Sequence, residues 1–372
     1  MAEKSKAQAA LARLQKINPG ADFMRNHSLS RVDEWIDTGS MGLNAIVSGS
    51  LYGGVPMGKI VQFCGESQTF KSGFSAQIMA NAQKIGKVVL LFDTEGAYTE
   101  EGAKSFGLKS DELILMKCES IEQVRNDIFK FLKDIPKEEH GLYVVVIDSL
   151  ANLQSEMELK RMDKDSTSAD MGSAAKAIKS LLKTCTNSGN STNTAFIITN
   201  HVYDDPSEKY PSLEKNINGG KAAVFLPTVT VQLSRKVVKE GADSVIDDKK
   251  TASQKNATGI ILRAMTAKNR IIQQYLETEV YLSFSKGMNK YYGLDGIMKE
   301  LGIIENSGAS YTDWEGNKLG FRKNWFSDKK LWEERFLPEL EKRIKENWSY
   351  SSVSDEDEEE FLETSEEVED DS

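Results

Sequence analysis

The chain has 372 residues, with 47 Lys and Arg against 57 Asp and Glu and a formal net charge of −10. That length suffices for one sizeable α/β core with extensions. No run approaches about 18 consecutive apolar residues, which excludes a transmembrane helix, and the first residues lack the apolar heart of a secretory signal, so an intracellular protein is expected. The charge is uneven: residues 355–372 hold twelve Asp or Glu and no Lys or Arg, and the remaining 354 residues sum to +2. A near-neutral body of that kind leaves room for a nucleic-acid surface. Cys64, Cys118 and Cys185 are far apart, no pair has metal-site spacing, and reduced thiols are expected.

Residues 7–16 place Ala9, Ala10, Leu11 and Leu14 in helical register, and Pro19-Gly20 should end that helix. Gly49, Gly53, Gly54 and Gly58 make a turn-rich approach to residues 59–64, read as a short buried strand. The loop Gly65, Glu66, Ser67, Gln68, Thr69, Phe70, Lys71, Ser72 follows, and residues 73–85 beginning at Gly73 are read as a helix. Strand, loop and helix in that order are the setting of a phosphate-binding P-loop. Its backbone N–H groups and the helix N-terminus favour an anion. Lys71 can reach the phosphates of ATP, and Ser72 can take a place on Mg²⁺. Phe70 stands where Gly usually precedes the Lys.

Three more apolar runs follow: residues 87–92 ending in Asp93, Thr94 and Glu95, residues 142–147 ending in Asp148 and Ser149, and residues 194–198 ending in Thr199, Asn200 and His201. Each is short, β-rich and apolar on both faces, as strands of a covered parallel sheet are. Helix-like stretches at 120–132 and 169–186 alternate with them, which predicts a right-handed α/β sheet with ligands outside the carboxyl ends of its strands. Asp148 sits where a magnesium carboxylate belongs, or is a helix cap. Glu95 can position an attacking water, or sit in a helix's first turn. His201 can touch a γ-phosphate, or be a hydrogen-bonded histidine at a strand end. Segments 154–168 and 203–221 are charged or Pro- and Gly-rich and are read as loops on the nucleotide side.

Strands are expected at 229–234, 258–267 and 279–284, the second followed by Lys268 and Arg270, which are surface charges unless they reach a neighbour's nucleotide. A helix at 294–301 opens a smaller α-rich end. Trp314, Trp325, Trp332 and Trp348 there either pack a satellite core or stack nucleic-acid bases. The composition after Ser349 predicts disorder.

Over residues 35–300 the chain resembles the RecA-type DNA strand-exchange family, most of all the UvsX-type branch of T-even-like bacteriophages. The resemblance rests on Thr38-Gly39-Ser40-Met41-Gly42-Leu43 and on Tyr52-Gly53-Gly54-Val55-Pro56-Met57-Gly58-Lys59-Ile60. It continues in the loop with Phe70 before Lys71, which matches the phage branch, and in Phe92-Asp93-Thr94-Glu95-Gly96. Val146-Ile147-Asp148-Ser149-Leu150 and Ile198-Thr199-Asn200-His201 complete it; cellular members carry Gln at the last position.

The resemblance implies a RecA-like P-loop ATPase core with a mostly parallel central sheet, a short N-terminal helical segment and a smaller α-rich C-terminal region. The implied division is 1–34 for oligomerisation, 35–290 for the ATPase and DNA-binding core, 291–350 for the small domain and 351–372 for the acidic tail. It implies that residues 65–73 cradle ATP, that Glu95 is the catalytic base and that Ser72 and Asp148 hold Mg²⁺. His201 is implied as nucleotide sensor, and Lys268 and Arg270 as ATP contacts across a subunit interface. Thr99 alone is carried over as an adenine contact. Residues 154–168 and 203–220 would be the two DNA-binding loops. The implied partners are single- and double-stranded DNA, further copies of the chain in a helical filament, a phage single-strand-binding protein and a recombination mediator, with no membrane, in the cytoplasm of an infected bacterium. A replicative helicase on the same core and a non-catalytic mediator are the rival readings.

Overall fold

The computed structural model describes residues 5–24, 32–162, 172–203, 215–239, 245–246 and 257–350. The chain opens with α1 (Lys6–Leu14), started by a capping box between Ser5 and Gln8. Then come β1 (Trp35–Ile36), α2 (Met41–Ser48), β2 (Val55–Pro56), β3 (Ile60–Gly65), α3 (Lys71–Lys84), β4 (Val88–Asp93), α4 (Glu100–Ser105), β5 (Leu113–Met116) and α5 (Ile121–Lys133). They are followed by β6 (Tyr143–Asp148), α6 (Glu156–Met162), α7 (Ser173–Thr192), β7 (Ala195–Tyr203), β8 (Asn216–Ile217), α8 (Gly220–Phe225), β9 (Val229–Lys239), β10 (Val245–Ile246), β11 (Ala257–Asn269), β12 (Glu277–Ser283) and β13 (Gly287–Met288). The C-terminal part holds α9 (Leu294–Glu300), strands β14 (Ile304–Ser307), β15 (Ser310–Asp313) and β16 (Lys318–Phe321), and helices α10 (Arg322–Trp325), α11 (Lys329–Leu331) and α12 (Leu337–Asn347).

One large sheet runs in the order β13-β12-β11-β9-β3-β7-β6-β4-β5. From β9 to β5 every neighbouring pair is parallel, and from β9 to β13 every pair is antiparallel. This is an α/β fold around a mostly parallel central sheet, as expected. The apolar strands alternate between two cores, as a period of two demands. Val61, Phe63, Leu91, Val146 and Ile197 face the layer that contains α2 and α3. Ile60, Cys64, Leu90, Ile147 and Ile198 face α5, α7 and α8. With helices on both faces, what stays open is the row of carboxyl-terminal strand ends.

Several elements differ from the sequence reading. Helix α7 runs to Thr192, six residues past the expected end, although its last turns are rich in Ser, Asn and Thr. Hydroxyls there turn back onto the helix: Ser191 and Thr192 both donate to the Ser188 carbonyl. Asn193 then stops it in the left-handed region. Segment 154–168, read as a loop, carries α6 in its first half, and residues 163–168 lie outside the described residues. Residues 204–214 of the second loop and the tail from 351 lie outside them too. The C-terminal part also contains an antiparallel sheet, β14-β15-β16, which composition did not announce.

The tryptophans pack inside the protein. Trp325, Trp332 and Trp348 are each 2% exposed or less, so they offer no stacking surface. Trp325 and Trp332 pack chiefly on each other and on aromatic neighbours of the C-terminal part, and all three lie in an apolar cluster that is continuous with the one holding α2 and α3. Trp325 and Trp332 lie 5.9 Å apart with Phe336 against both, and half-buried Trp314 packs on Phe336 and under Arg335.

Candidate functional site

The P-loop is the turn between β3 and α3, and its shape depends on two contacts within it. Thr69 Oγ1 donates to the Glu66 carbonyl at 2.8 Å and closes the turn. Phe70 takes φ 62° and ψ 25°, a left-handed geometry that glycine adopts at no cost and phenylalanine does not. Its ring is held by Phe74 and Phe106, each centroid at 5.8 Å. The same ring lies so close over Gly73 that a Cβ there would meet it at 2.1 Å. Gly73 is therefore the residue that lets a bulky side chain stand at position 70.

Lys71 opens α3, and its ammonium curls into the loop. It donates to the Gly65 carbonyl at 2.9 Å and to the Glu66 carbonyl at 2.8 Å. Burial lowers its pKa, while the Glu95 and Asp148 carboxylates pull it back up.

Across from the loop, β6 and β4 end side by side, with Asp93 paired to Asp148. Asp148 is 1% exposed, and both carboxylate oxygens accept hydrogen bonds. Thr199 Oγ1 donates to Oδ1, and the Tyr98 hydroxyl donates to Oδ2 at 2.6 Å. That hydroxyl also lies 3.2 Å from the Ser72 carbonyl oxygen, so Tyr98 touches both residues expected to hold magnesium. Burial, the Asp148 charge and the bond to it push the Tyr98 phenol well above its usual range.

Ser72 and Asp148 offer hard oxygen donors, and the shared contact with Tyr98 brings their two elements together. This donor set suits Mg²⁺, which is commonly bound by one or two side chains with phosphate and water completing the shell. Ser72 and Asp148 would hold the ion.

Glu95 stands just past the end of β4. Its Oε1 accepts from Ser149 Oγ at 2.7 Å and lies 3.4 Å from His201 Nε2. The two side chains are each about 30% exposed, open enough to meet a ligand. Stitching underneath is tight: Thr94 Oγ1 donates to the Ser149 carbonyl at 2.9 Å and lies 2.8 Å from the Ser149 nitrogen, whose N–H it accepts. His201 in turn sits where β7 meets β8. Its carbonyl accepts from the Asn218 N–H at 3.1 Å, and Asn200 donates to the Asn218 carbonyl at 2.8 Å.

The other expected residues fall elsewhere. Lys268 Nζ donates to the Val224 and Phe225 carbonyls at 3.0 and 2.5 Å, and Arg270 donates to the Phe225 carbonyl at 2.7 Å. Both thus cap the carboxyl end of α8 within their own chain. Burial, then the Arg270 charge, lowers the Lys268 pKa to about 8. The Thr99 hydroxyl caps α4 by accepting from the Gly102 N–H at 3.1 Å.

Sequence reasoning missed Tyr98, Thr199 and Ser149 as partners of the carboxylates. It also missed Lys215, whose ammonium pairs with Glu66 of the P-loop. A hydroxyl residue at the end of an apolar run was the available signal for Ser149 and Thr199. For Lys215 there was none, because the contact spans 149 residues.

The family model for the RecA N-terminal domain matches residues 6–289. Among similar curated proteins is Protein RecA of Saccharopolyspora erythraea, 29% identical over 349 residues, covering 92% of this chain and 93% of that one. Protein RecA of Nocardioides sp. is 28% identical over 351 residues, with coverage of 94% and 93%. Protein RecA of Streptomyces rimosus is 28% identical over 344 residues, with coverage of 91% and 84%. No helix among the described residues is long and apolar enough to cross a membrane.

Proposed function

Because the chain belongs to the RecA family, we infer that it is a DNA-dependent ATPase of recombination and repair that pairs and exchanges homologous DNA strands. The observation that carries this reading is the convergence at one rim of the sheet. Lys71 and Ser72 of the P-loop face Asp148 at the end of β6, and Glu95 beyond β4 shares contacts with Ser149 and His201.

In this reading the loop amides and Lys71 bind the phosphates of ATP. Ser72 and Asp148 would hold Mg²⁺, whose charge would offset that of the phosphates. Glu95 takes the proton of the attacking water as the γ-phosphoryl leaves ADP, with Ser149 Oγ fixing the carboxylate's direction. His201 exchanges its contact with Glu95 for one with the γ-phosphate, a role supported by its ring nitrogen lying 3.4 Å from Glu95 Oε1. The change would pass along β7 and β8 to the second DNA loop.

The finer assignments belong to the same proposal. ATP is held between adjacent subunits of a filament on single-stranded DNA, with Lys268 and Arg270 acting on the neighbour's nucleotide. The Phe70 P-loop and His201 support the phage branch, hence a role in recombination-dependent replication with a phage single-strand-binding protein and a mediator. Residues 1–34 serve assembly, 35–290 catalysis and DNA binding, 291–350 form an added unit and 351–372 a regulatory tail. The test is one assay of purified protein with ATP, Mg²⁺, single-stranded DNA and a homologous duplex. DNA-stimulated hydrolysis with joint-molecule formation, both lost in Lys71→Ala, is expected. Unwinding without pairing would make the chain a helicase, and DNA binding without turnover a mediator.

A further inference from the structure

Tyr98 is the side chain at the site whose presence no motif required. Its place is set by Asp93, whose carboxylate accepts the N–H groups of Glu95, Ala97 and Tyr98 at 3.1, 3.2 and 3.3 Å. That fan of bonds, with Gly96 at φ 64°, folds the chain after β4 back towards the end of β6. The ring then packs on the apolar cluster beside α3, and the hydroxyl donates to Asp148 Oδ2 with the Ser72 carbonyl oxygen 3.2 Å away.

Packing alone would be served by phenylalanine. The hydroxyl does something a ring cannot: it holds a buried carboxylate in one orientation beside the first turn of the P-loop helix. A carboxylate has about four lone-pair positions. Thr199 takes one on Oδ1 and Tyr98 one on Oδ2. Two donors, one on β7 and one in the loop after β4, fix the carboxylate's rotation, and one lone pair on each oxygen remains for an ion or its water. Groups that orient a metal ligand in this way set metal affinity, and their loss commonly costs about 10–100-fold.

We propose that Tyr98 is a positioning residue for the magnesium site, holding the Asp148 carboxylate against Ser72 through its phenol hydroxyl. The inference rests on reading Ser72 and Asp148 as the magnesium residues. It also links that site to the turn that carries Glu95, since Glu95 and Tyr98 hang from the same Asp93 carboxylate.

The test measures binding, not turnover. A fluorescent, non-hydrolysable ATP analogue is titrated into full-length protein at a series of Mg²⁺ concentrations and in EDTA. Wild type should bind the analogue more tightly as Mg²⁺ rises. Tyr98→Phe keeps the ring and its packing; it should raise the Mg²⁺ concentration for half-maximal effect by about tenfold and leave the affinity in EDTA unchanged. Asp148→Asn should raise it too, and adding Tyr98→Phe to Asp148→Asn should change nothing further, because the hydroxyl acts through that carboxylate. A Tyr98→Phe titration that overlays wild type overturns the proposal, as does a double variant whose effects multiply. A wild type that responds to Mg²⁺ keeps the magnesium reading intact in either case; a wild type without any response overturns both.

Discussion

The pairing of Phe70 with Gly73 predicts a reversal of sign. Glycine to alanine inside a helix normally stabilises, by about 1 kcal/mol. At position 73 the new Cβ would stand 2.1 Å from the Phe70 ring, so the ring must leave. Leaving forfeits its contacts with Phe74 and Phe106, each worth about 1 kcal/mol, and about 1 kcal/mol of burial for a half-buried ring. Against the helix-propensity gain, Gly73→Ala should cost about 2 kcal/mol. In a Phe70→Gly background no ring is there to displace, and the same alanine should stabilise by about 1 kcal/mol. The coupling between the two positions is then about 3 kcal/mol, at the upper end of what neighbours show. Guanidinium unfolding of wild type, both single variants and the double variant measures it. Gly73→Ala stabilising the wild type, or destabilising both backgrounds equally, would refute the reasoning.

Three further outcomes are expected. Glu95→Gln should bind ATP and DNA as wild type does yet lose at least 100-fold in single-turnover hydrolysis, general-base effects being about 10²–10⁴-fold; normal single-turnover hydrolysis would place the base elsewhere. Lys268→Ala/Arg270→Ala subunits and Lys71→Ala subunits should each be inactive alone and regain turnover when mixed, and no recovery despite co-assembly counts against action across the interface. Removing residues 355–372, which carry −12, should speed association with duplex DNA at low salt, with the difference fading as exposed charges are screened over about 8 Å at physiological ionic strength; equal rates at low salt leave the tail a solubility or docking role.

The strands were legible because burial on both faces leaves an unmistakable mark. Residues 60–64, 88–92 and 143–147 are apolar almost throughout, and the acids that follow them lie at the rim of the sheet. Glu95, Asp148 and His201 were legible for the same reason: polar residues ending apolar strands have few other places to be. What could not be read was set by contacts between distant segments. Tyr98 looks like any loop tyrosine until Asp93 folds its turn, and Lys215 finds Glu66 only because β8 pairs with β7. The last turns of α7 were missed because local propensity argues against them, while Ile178, Leu181, Leu182 and Cys185 bury the helix they extend. The tryptophans could be read as packing or stacking residues, but sequence clustering does not say that their cluster runs on into the main core.

The short antiparallel pairing of β7 with β8, Val202 with Ile217 and Tyr203 with Asn216, works as a clasp. It fixes both ends of the stretch between Tyr203 and Asn216 next to each other and beside His201. Because the pair already meets the entropy of closing that stretch, a ligand that orders the residues between the two anchors need not supply it.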